Sequence, residues 1–336
     1  MNELTIRLPD DFHVHVRQGP AMAAYAARSA AHFGRFLVMP NVTPPLVSGG
    51  SVADYAKAVN AAVKASGFAS IPLYSFKLVP GMGREAVLAC AGAGAIVGKY
   101  YPAGATTNSS DGVPDPESIR EELEAMQMAK LVLSIHGEDP SSPILEREED
   151  FLPVADRIIA SYPRLRVVLE HLSTRASVEA VLRWPDRVAA TLTPHHLLYT
   201  IDEVLGDRLD PAYYCKPVLK SAADRASLVR AAVSGSPRFF FGSDSAPHPP
   251  AAKAAGASGS YTAPVALSLL AAVFDEAGEM GRLEAFVSEH GARFYGLDLN
   301  QGRLRLRRQA WTVPSELDGV TPLAYGRTLA WTADRT

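Results

Sequence analysis

Cysteine is almost missing from this chain: Cys90 and Cys215 are the only two among 336 residues. Two thiols so placed cannot build a disulfide framework, and neither has the paired spacing of a cysteine zinc site, so a reducing, cytoplasmic setting is expected. No run approaches the ~20 apolar residues needed to span a bilayer. The opening MNELTIRLPDDF also lacks the basic-then-apolar order of a secretory leader, so no membrane partner is expected. Without secretion, the glycosylation pattern at Asn108-Ser109-Ser110 is idle. The formal charge is −3, and Lys and Arg are scattered rather than gathered into a stripe. That excludes the usual footprint of a nucleic-acid binder and leaves a small molecule as the expected ligand. There is also no internal repeat, and no low-complexity tract beyond alanine richness.

What is present is the material of a large core: 47% apolar and 21% charged residues, ordinary for a globular protein. Short β-branched or aromatic runs alternate with longer alanine-rich segments. The runs are Phe12 to Val16, Phe36 to Met39, Pro72 to Val79, Ala95 to Tyr101, Leu131 to His136, Val167 to Leu172, Val188 to Leu192 and Phe239 to Ser243. Between them, Val52, Tyr55, Ala56, Val59 and Val63 form one face of a helix whose other side carries Lys57, Asn60 and Lys64. Further helices are expected over Pro116 to Ala129, Phe151 to Ser161, Ala222 to Val233 and Pro264 to Glu276. Eight such units most simply close into a TIM (β/α)8 barrel. A doubly wound sheet would usually have a glycine-rich turn after its first strand, where this chain has HVHVRQG. The expectation is a single barrel domain over 1–336, with residues 296–336 as a short C-terminal extension.

The sharpest chemical signal lies in that first run. A strand period of two puts His13 and His15 on one face, where two imidazoles can share a metal or simply pack as core histidines. His136 ends LVLSIH, His171 ends VVLEH and Asp244 ends FFFGSD. All three fall at the C-terminal ends of expected strands, the face from which barrel enzymes draw their catalytic groups. Lys99 ends AIVGK. It reads either as a snorkelling lysine or as an amine whose pKa is lowered enough to react with CO2 and bridge two metals as a carbamate. Arg17, two residues past His15, offers a bidentate fork for a carboxylate. The Gly-, Ser- and Thr-rich stretch from Pro102 to Pro116 follows the lysine strand and suits a mobile lid or an inert linker. His195 and His196 are taken as structural because neighbours on a strand face opposite ways. His32 and His290 are expected in helices, and both cysteines are expected to be buried.

These residues, together with MPN from Met39, GKYYPAGATTNS from Gly98, HGE from His136, EHLST from Glu170, LTPHHL from Leu192, CKPVLK from Cys215 and GSDSAPH from Gly242, resemble the dihydroorotases, in their compact single-domain class within the amidohydrolase superfamily. The resemblance runs from Asp11 to about Ala272. It implies a hydrolase that interconverts N-carbamoyl-L-aspartate and L-dihydroorotate in pyrimidine biosynthesis, cytoplasmic and homodimeric. It also implies two divalent cations, zinc by expectation, with His13 and His15 on the more buried one, His136 and His171 on the more exposed one, and N6-carboxylated Lys99 bridging them. Asp244 is implied both as a ligand of the buried cation and as the general acid and base toward a bridging hydroxide. Two cations ~3.5–4 Å apart lower the pKa of such a water and polarise a carbonyl. For substrate binding the resemblance implies Arg17 with Asn41 and His248, the adjacent Thr106 and Thr107 of the lid, the backbone of Leu219, and a backbone contact near Ser258. After His248 the chain reads PPAAKAAGASGSYTAP, shorter than that family's segment and without its cysteines, so the Ser258 contact is the least secured.

Three rivals share parts of this pattern. A hydantoinase or dihydropyrimidinase would use the same metals on an uncharged ring, but such a ring gives Arg17 no partner. A non-catalytic barrel scaffold would gain nothing from keeping every ligand position filled, since burying unpaired charge costs stability. A phosphotriester or lactone hydrolase would prefer an apolar pocket to Arg17.

Overall fold

The computed structural model describes residues 2–336. All eight expected runs are strands: β2 (Asp10–Val14), β3 (Arg35–Val38), β4 (Ile71–Lys77), β5 (Ala95–Tyr100), β6 (Val132–Ile135), β7 (Arg166–Leu169), β8 (Val188–Leu192) and β9 (Phe239–Phe241). They pair in sequence order, each parallel to the next. A parallel bridge between Val14 and Ser245, with Asp244 N donating to His13 O at 2.9 Å, brings the last strand back to the first. The fold is a TIM barrel.

Strand alternation builds two cores from one sequence. Along β3, Phe36 and Val38 join the outer cluster under the helices, whereas Leu37 and the following Met39 join the cluster that fills the barrel with Phe12, Val97, Val132, Val168 and Phe240. Period two on a sheet covered by helices produces this partition. The helix Gly49–Ser66 buries Val52, Tyr55, Val59, Ala62 and Val63, nearly the face the spacing predicts, and it starts with a reciprocal Ser48–Ser51 capping box.

One sheet was not foreseen. A first strand, β1 (Glu3–Arg7), pairs antiparallel with β10 (Arg303–Thr312), which pairs in turn with β11 (Thr328–Arg335). The segment read only as a C-terminal extension therefore forms most of a small antiparallel sheet with the chain's first residues. Near it, Arg35 grips Asp10 through two hydrogen bonds of 2.8 and 2.7 Å, and Asn300 donates to the same carboxylate at 2.8 Å. Arg35 also donates to Asp298 O at 2.7 Å, so one buried guanidinium ties the start of two barrel strands to the C-terminal segment.

Removing one member of a buried ion pair strands the other's charge, which costs ~3–5 kcal/mol. Arg35→Met should therefore lower the denaturation midpoint by that much stability, as measured by urea unfolding. A loss below ~1 kcal/mol would show that Asp10 is held without its arginine.

Candidate metal centre

The mouth of the barrel is assembled by departures from regular strand geometry as much as by strand geometry itself. In β2, Phe12 points into the barrel, so strict alternation would send His13 outward. The pairing with β3 shifts register between Asp11 and Val14, and beyond that irregularity it is Val14 and Val16 that join the outer core. This frees His13 and His15 to face inward, a known use of strand irregularities beside active sites. In β5, Val97 is inside, so Lys99 follows in phase. β6 likewise aligns Val132, Ser134 and His136. On β7, Val168 and Glu170 point inward, and His171 should face away. It sits at φ +42°, and this left-handed turn brings the next side chain into the mouth as well. Asp244 at φ +43° and Arg17 at φ +60° are in the same region. Non-glycine residues adopt it rarely, and such conformations recur at active sites. Gly242 lets β9 come this close, because a Cβ there would lie 3.0 Å from His13 Cβ and 3.1 Å from Thr191 Cβ.

The groups so gathered form two clusters. His13, His15 and Asp244 can each offer a ligand atom within 4.8 Å of the others, and Asp244 Oδ1 lies 3.3 Å from both His13 Nε2 and His15 Nε2. His136 Nδ1 and His171 Nε2 are 3.2 Å apart. The rings of His13 and His171, 5.1 Å apart at their centroids, join the clusters.

Two carboxylates behind the rings decide which nitrogen faces the cavity. Glu170 Oε2 accepts from His13 Nδ1 at 2.8 Å, so the Nε2 lone pair looks toward Asp244. Glu138 Oε2 accepts from His136 Nε2 at 2.7 Å, so the Nδ1 lone pair looks toward His171. Holding the far N–H on a carboxylate is how proteins orient imidazoles as metal ligands. Glu170 also receives hydrogen bonds from Ser134 Oγ (2.5 Å) and Thr191 Oγ1 (2.6 Å). Burial would raise its carboxyl, but the neighbouring His13 and Lys99 and these hydrogen bonds hold it down at about 2. Burial depresses His15 and His171 well below the usual imidazole range, keeping them neutral and able to ligate. Burial lifts Asp244, opposed by His13 and Lys99.

Lys99 is fully buried, its Nζ has no hydrogen-bond partner, and it lies 5.3 Å from the centroid of the Tyr101 ring. Burial pulls its amine down to about 8, against the upward pull of Glu170 and Asp244. An unpartnered buried amine whose charge acts on His13 and His171 fits a site built around cations and a modified lysine.

Of the remaining expected residues, Arg17, Asn41, Thr106, Thr107 and Ser258 line the same cavity, along with Tyr101 and Lys216. Arg17 lies beyond the end of β2, which stops at Val14, and not on the strand itself. Its Nε donates to Pro247 O at 3.0 Å, and its Nη2 lies 2.8 Å from His248 Nε2, which is also 2.9 Å from Ser258 O. Burial and the adjacent Arg17 charge keep His248 neutral, down at about 3, so the ring brings no second positive charge against the guanidinium. Leu219 is buried in an apolar cluster and is not among the residues walling the cavity. His195 and His196 are not on a strand as supposed. They occupy the short helix Pro194–Leu198, with ring centroids 4.5 Å apart and Cys215 within ligand distance. His196 spends both ring nitrogens on Thr193 Oγ1 and Pro217 O, which suits the structural role expected of it. Glu138, Glu170 and Lys216 were not singled out from sequence. Glu170 did leave a signal, since an acid closing the apolar run VVLE stays ionised only with partners.

A parallel barrel whose C-terminal mouth aims imidazoles, a lysine and an aspartate at one another defines the amidohydrolase class of TIM barrels. No family model matches the chain. A dihydroorotase from Cupriavidus necator is 44% identical over 344 residues, covering 98% of this chain and 99% of that protein. Among solved structures, dihydroorotase from Saccharomyces cerevisiae, in complex with 5-fluoroorotic acid, superposes with a TM-score of 0.92 at 33% identity, covering 100% of this chain and 99% of that one. Dihydroorotase from Campylobacter jejuni gives 0.91 at 31% identity, covering 99% and 97%. The chain belongs to the dihydroorotase family.

Glu170→Gln keeps the size of the side chain but removes the charge that fixes His13. Divalent-cation affinity, measured by competition with a chelating dye, should fall ~10–100-fold. Unchanged affinity would mean that His13 needs no such support.

Proposed function

We propose that this chain catalyses the reversible ring closure of N-carbamoyl-L-aspartate to L-dihydroorotate. The observation that carries the substrate assignment is Arg17: its guanidinium lines the same cavity as the histidine cluster in a half-buried wall, beside a neutral histidine. Dihydroorotate carries a carboxylate for it to grip by two charge-assisted hydrogen bonds. An uncharged hydantoin or dihydropyrimidine ring would leave that cation without a partner.

His13, His15 and Asp244 would hold one divalent cation and His136 and His171 a second, with carboxylated Lys99 shared by both. Nitrogen and oxygen donors of this kind suit zinc. When bound, the cations supply Lewis-acid polarisation of the ring carbonyl and lower the pKa of water. The protein's own residues account for the rest. Arg17, with Asn41 beside it, fixes the substrate carboxylate and so the face of the ring presented to Asp244. In the hydrolytic direction water adds to the ring carbonyl carbon and Asp244 accepts its proton. The ring C–N bond then breaks as the same carboxyl delivers that proton to the departing nitrogen, leaving the open carbamoyl acid. Cyclisation runs the same steps backward from protonated Asp244. Burial of Asp244, which favours its neutral form, supports this exchange. Thr106 and Thr107 border the same cavity and would close over the ring and exclude bulk water. A cytoplasmic homodimer completes the proposal, and sedimentation showing only monomer would remove the dimer.

The first test follows the loss of L-dihydroorotate by ultraviolet absorbance, beside dihydrouracil and hydantoin, before and after chelation. Metal-dependent turnover of dihydroorotate alone is expected, whereas turnover of the uncharged rings would reassign the substrate. In Arg17→Ala, kcat/KM for dihydroorotate should fall ~100-fold or more with bound metal unchanged, the scale of unpairing a buried charge. Unaltered kinetics would move the enzyme toward neutral rings. In Asp244→Asn, kcat should drop ~10²–10⁴-fold in both directions, the range of a lost general acid–base group. Near-normal rates would place proton transfer elsewhere.

A further inference from the structure

Lys77 closes β4 one strand away from Lys99, and the two are register partners across the pair. Its side chain is 1% exposed, yet it does not line the cavity. Among the described residues its ammonium has two partners. It donates to Asn108 O at 2.7 Å and pairs with the carboxylate of Asp111. Both belong to the loop that presents Thr106 and Thr107.

That loop is a unit in its own right. Pro102 and Val113 bridge at its neck, Ala103 N donates to Val113 O at 3.1 Å, and Val113 N to Tyr101 O at 2.8 Å. Inside it, Gly104 N and Gly112 N both donate to Ser109 O, and Ser109 Oγ donates to Thr106 O at 2.6 Å. Gly112 is packed so tightly that a Cβ would lie 2.5 Å from Tyr101 O. A loop cross-linked in this way keeps its shape, so its placement over the cavity depends on a few external ties. Asn41 Nδ2 donates to Thr107 O at 3.1 Å, Asn108 Nδ2 to Asn41 O at 2.9 Å, and Lys216 Nζ to Ala105 O at 3.0 Å. Lys77 supplies the only ionic tie seen between this loop and the barrel strands among the described residues.

We infer that Lys77 and Asp111 form a latch that seats this loop over the cavity, making Lys77 a positioning residue for turnover. The physical reason is asymmetric. A buried ammonium without partners is strongly disfavoured, whereas Asp111, half exposed, can return to water. Lifting the loop would strip Lys77 of Asn108 O and Asp111 together, so the buried lysine biases the loop toward its seated position. Neither side chain lines the cavity, so their effect on substrate passes through Thr106 and Thr107. This inference rests on the reading that those threonines contact bound substrate.

The test uses metal-loaded full-length enzyme and two variants. Asp111→Lys sets like charges together at a half-exposed position, where misfolding is not expected. Lys77→Met removes the buried partner. Amide hydrogen exchange over residues 103–113 should quicken about tenfold or more in both, as expected for losing a hydrogen bond to a charged group. The thermal midpoint of Asp111→Lys should fall, since Lys77 loses its counter-ion, while exchange elsewhere in the barrel stays at the wild-type level. The KM for L-dihydroorotate should rise, with metal content at the wild-type level, and adding Thr107→Ala to Asp111→Lys should cost little more. Unaltered exchange in both variants overturns the latch, whatever the kinetics. Faster exchange with unaltered kinetics overturns the positioning role. If wild-type enzyme does not turn over dihydroorotate, it is the substrate reading that fails, and the exchange data still decide the latch.

Discussion

Everything in the barrel mouth depends on keeping Glu170 ionised where water cannot reach it. A carboxylate without partners in that setting would take up a proton or pull the structure open. Here it is surrounded by donors from three other strands: His13 from β2, Ser134 from β6 and Thr191 from β8. Each donor costs little to bury because the carboxylate satisfies it, and together they fix four strand ends relative to one another. Asp11 links β2 to the end of β9 by accepting from His13 N at 3.1 Å and Ser243 N at 2.8 Å, although burial lifts its carboxyl to about 7. Glu138 accepts from His136 Nε2 behind that ring. His13 and His136 are therefore held by their far sides, and their near nitrogens are left to face the cavity. That arrangement is preorganised, because the orienting hydrogen bonds exist before any ligand arrives.

Much of this could be read in the sequence because strand periodicity and strand ends are written in residue type. The eight runs from Phe12 to Ser243 announced eight strands in order, and each chemical residue followed an apolar run, so its position at the mouth came with the strand. What could not be read were the breaks in periodicity. Nothing in DFHVHV announces that the register shifts between Asp11 and Val14, yet without that shift Phe12 and His13 could not both point inward. Nothing in LEH announces that His171 adopts a left-handed backbone and shares the mouth with Glu170. These features are set by neighbouring strands, through tertiary contacts that a one-dimensional pattern does not carry. The β1–β10–β11 sheet was missed for a related reason. ELTIR is short, and its partner lies some three hundred residues away, so no local signal joined them.

The supporting acids and lysines were harder still to see, because their meaning lies in what they touch. Lys77 in FKLVP reads as one more lysine at a strand end, which is normally solvated. Only the fold puts it beneath a loop whose carbonyl and carboxylate it holds. Lys216 and Asn41 are similar: each reaches the backbone of that same loop, so the cavity wall and its cover are tied together.

The charge layout of the cavity also limits what the site can accept. Asp244, with Glu170 and Glu138 behind the rings, makes the imidazole cluster a sink for positive charge. Arg17 and Lys216 line the same cavity as cations, and Arg17 donates to the Pro247 carbonyl and rests against a neutral imidazole. Neither of those neighbours neutralises a guanidinium. A ligand with an anionic end and a polar, reacting end would satisfy both halves at once, its carboxylate toward Arg17 and its amide toward Asp244. A neutral ring of the same size would satisfy only the second half and would shield Arg17 from water without replacing that hydration. On this reading the site would discriminate by the penalty it imposes on the wrong ligand as much as by the grip it offers the right one. That penalty grows as the loop bearing Thr106 and Thr107 keeps solvent out, since an unpaired charge costs more in a drier cavity.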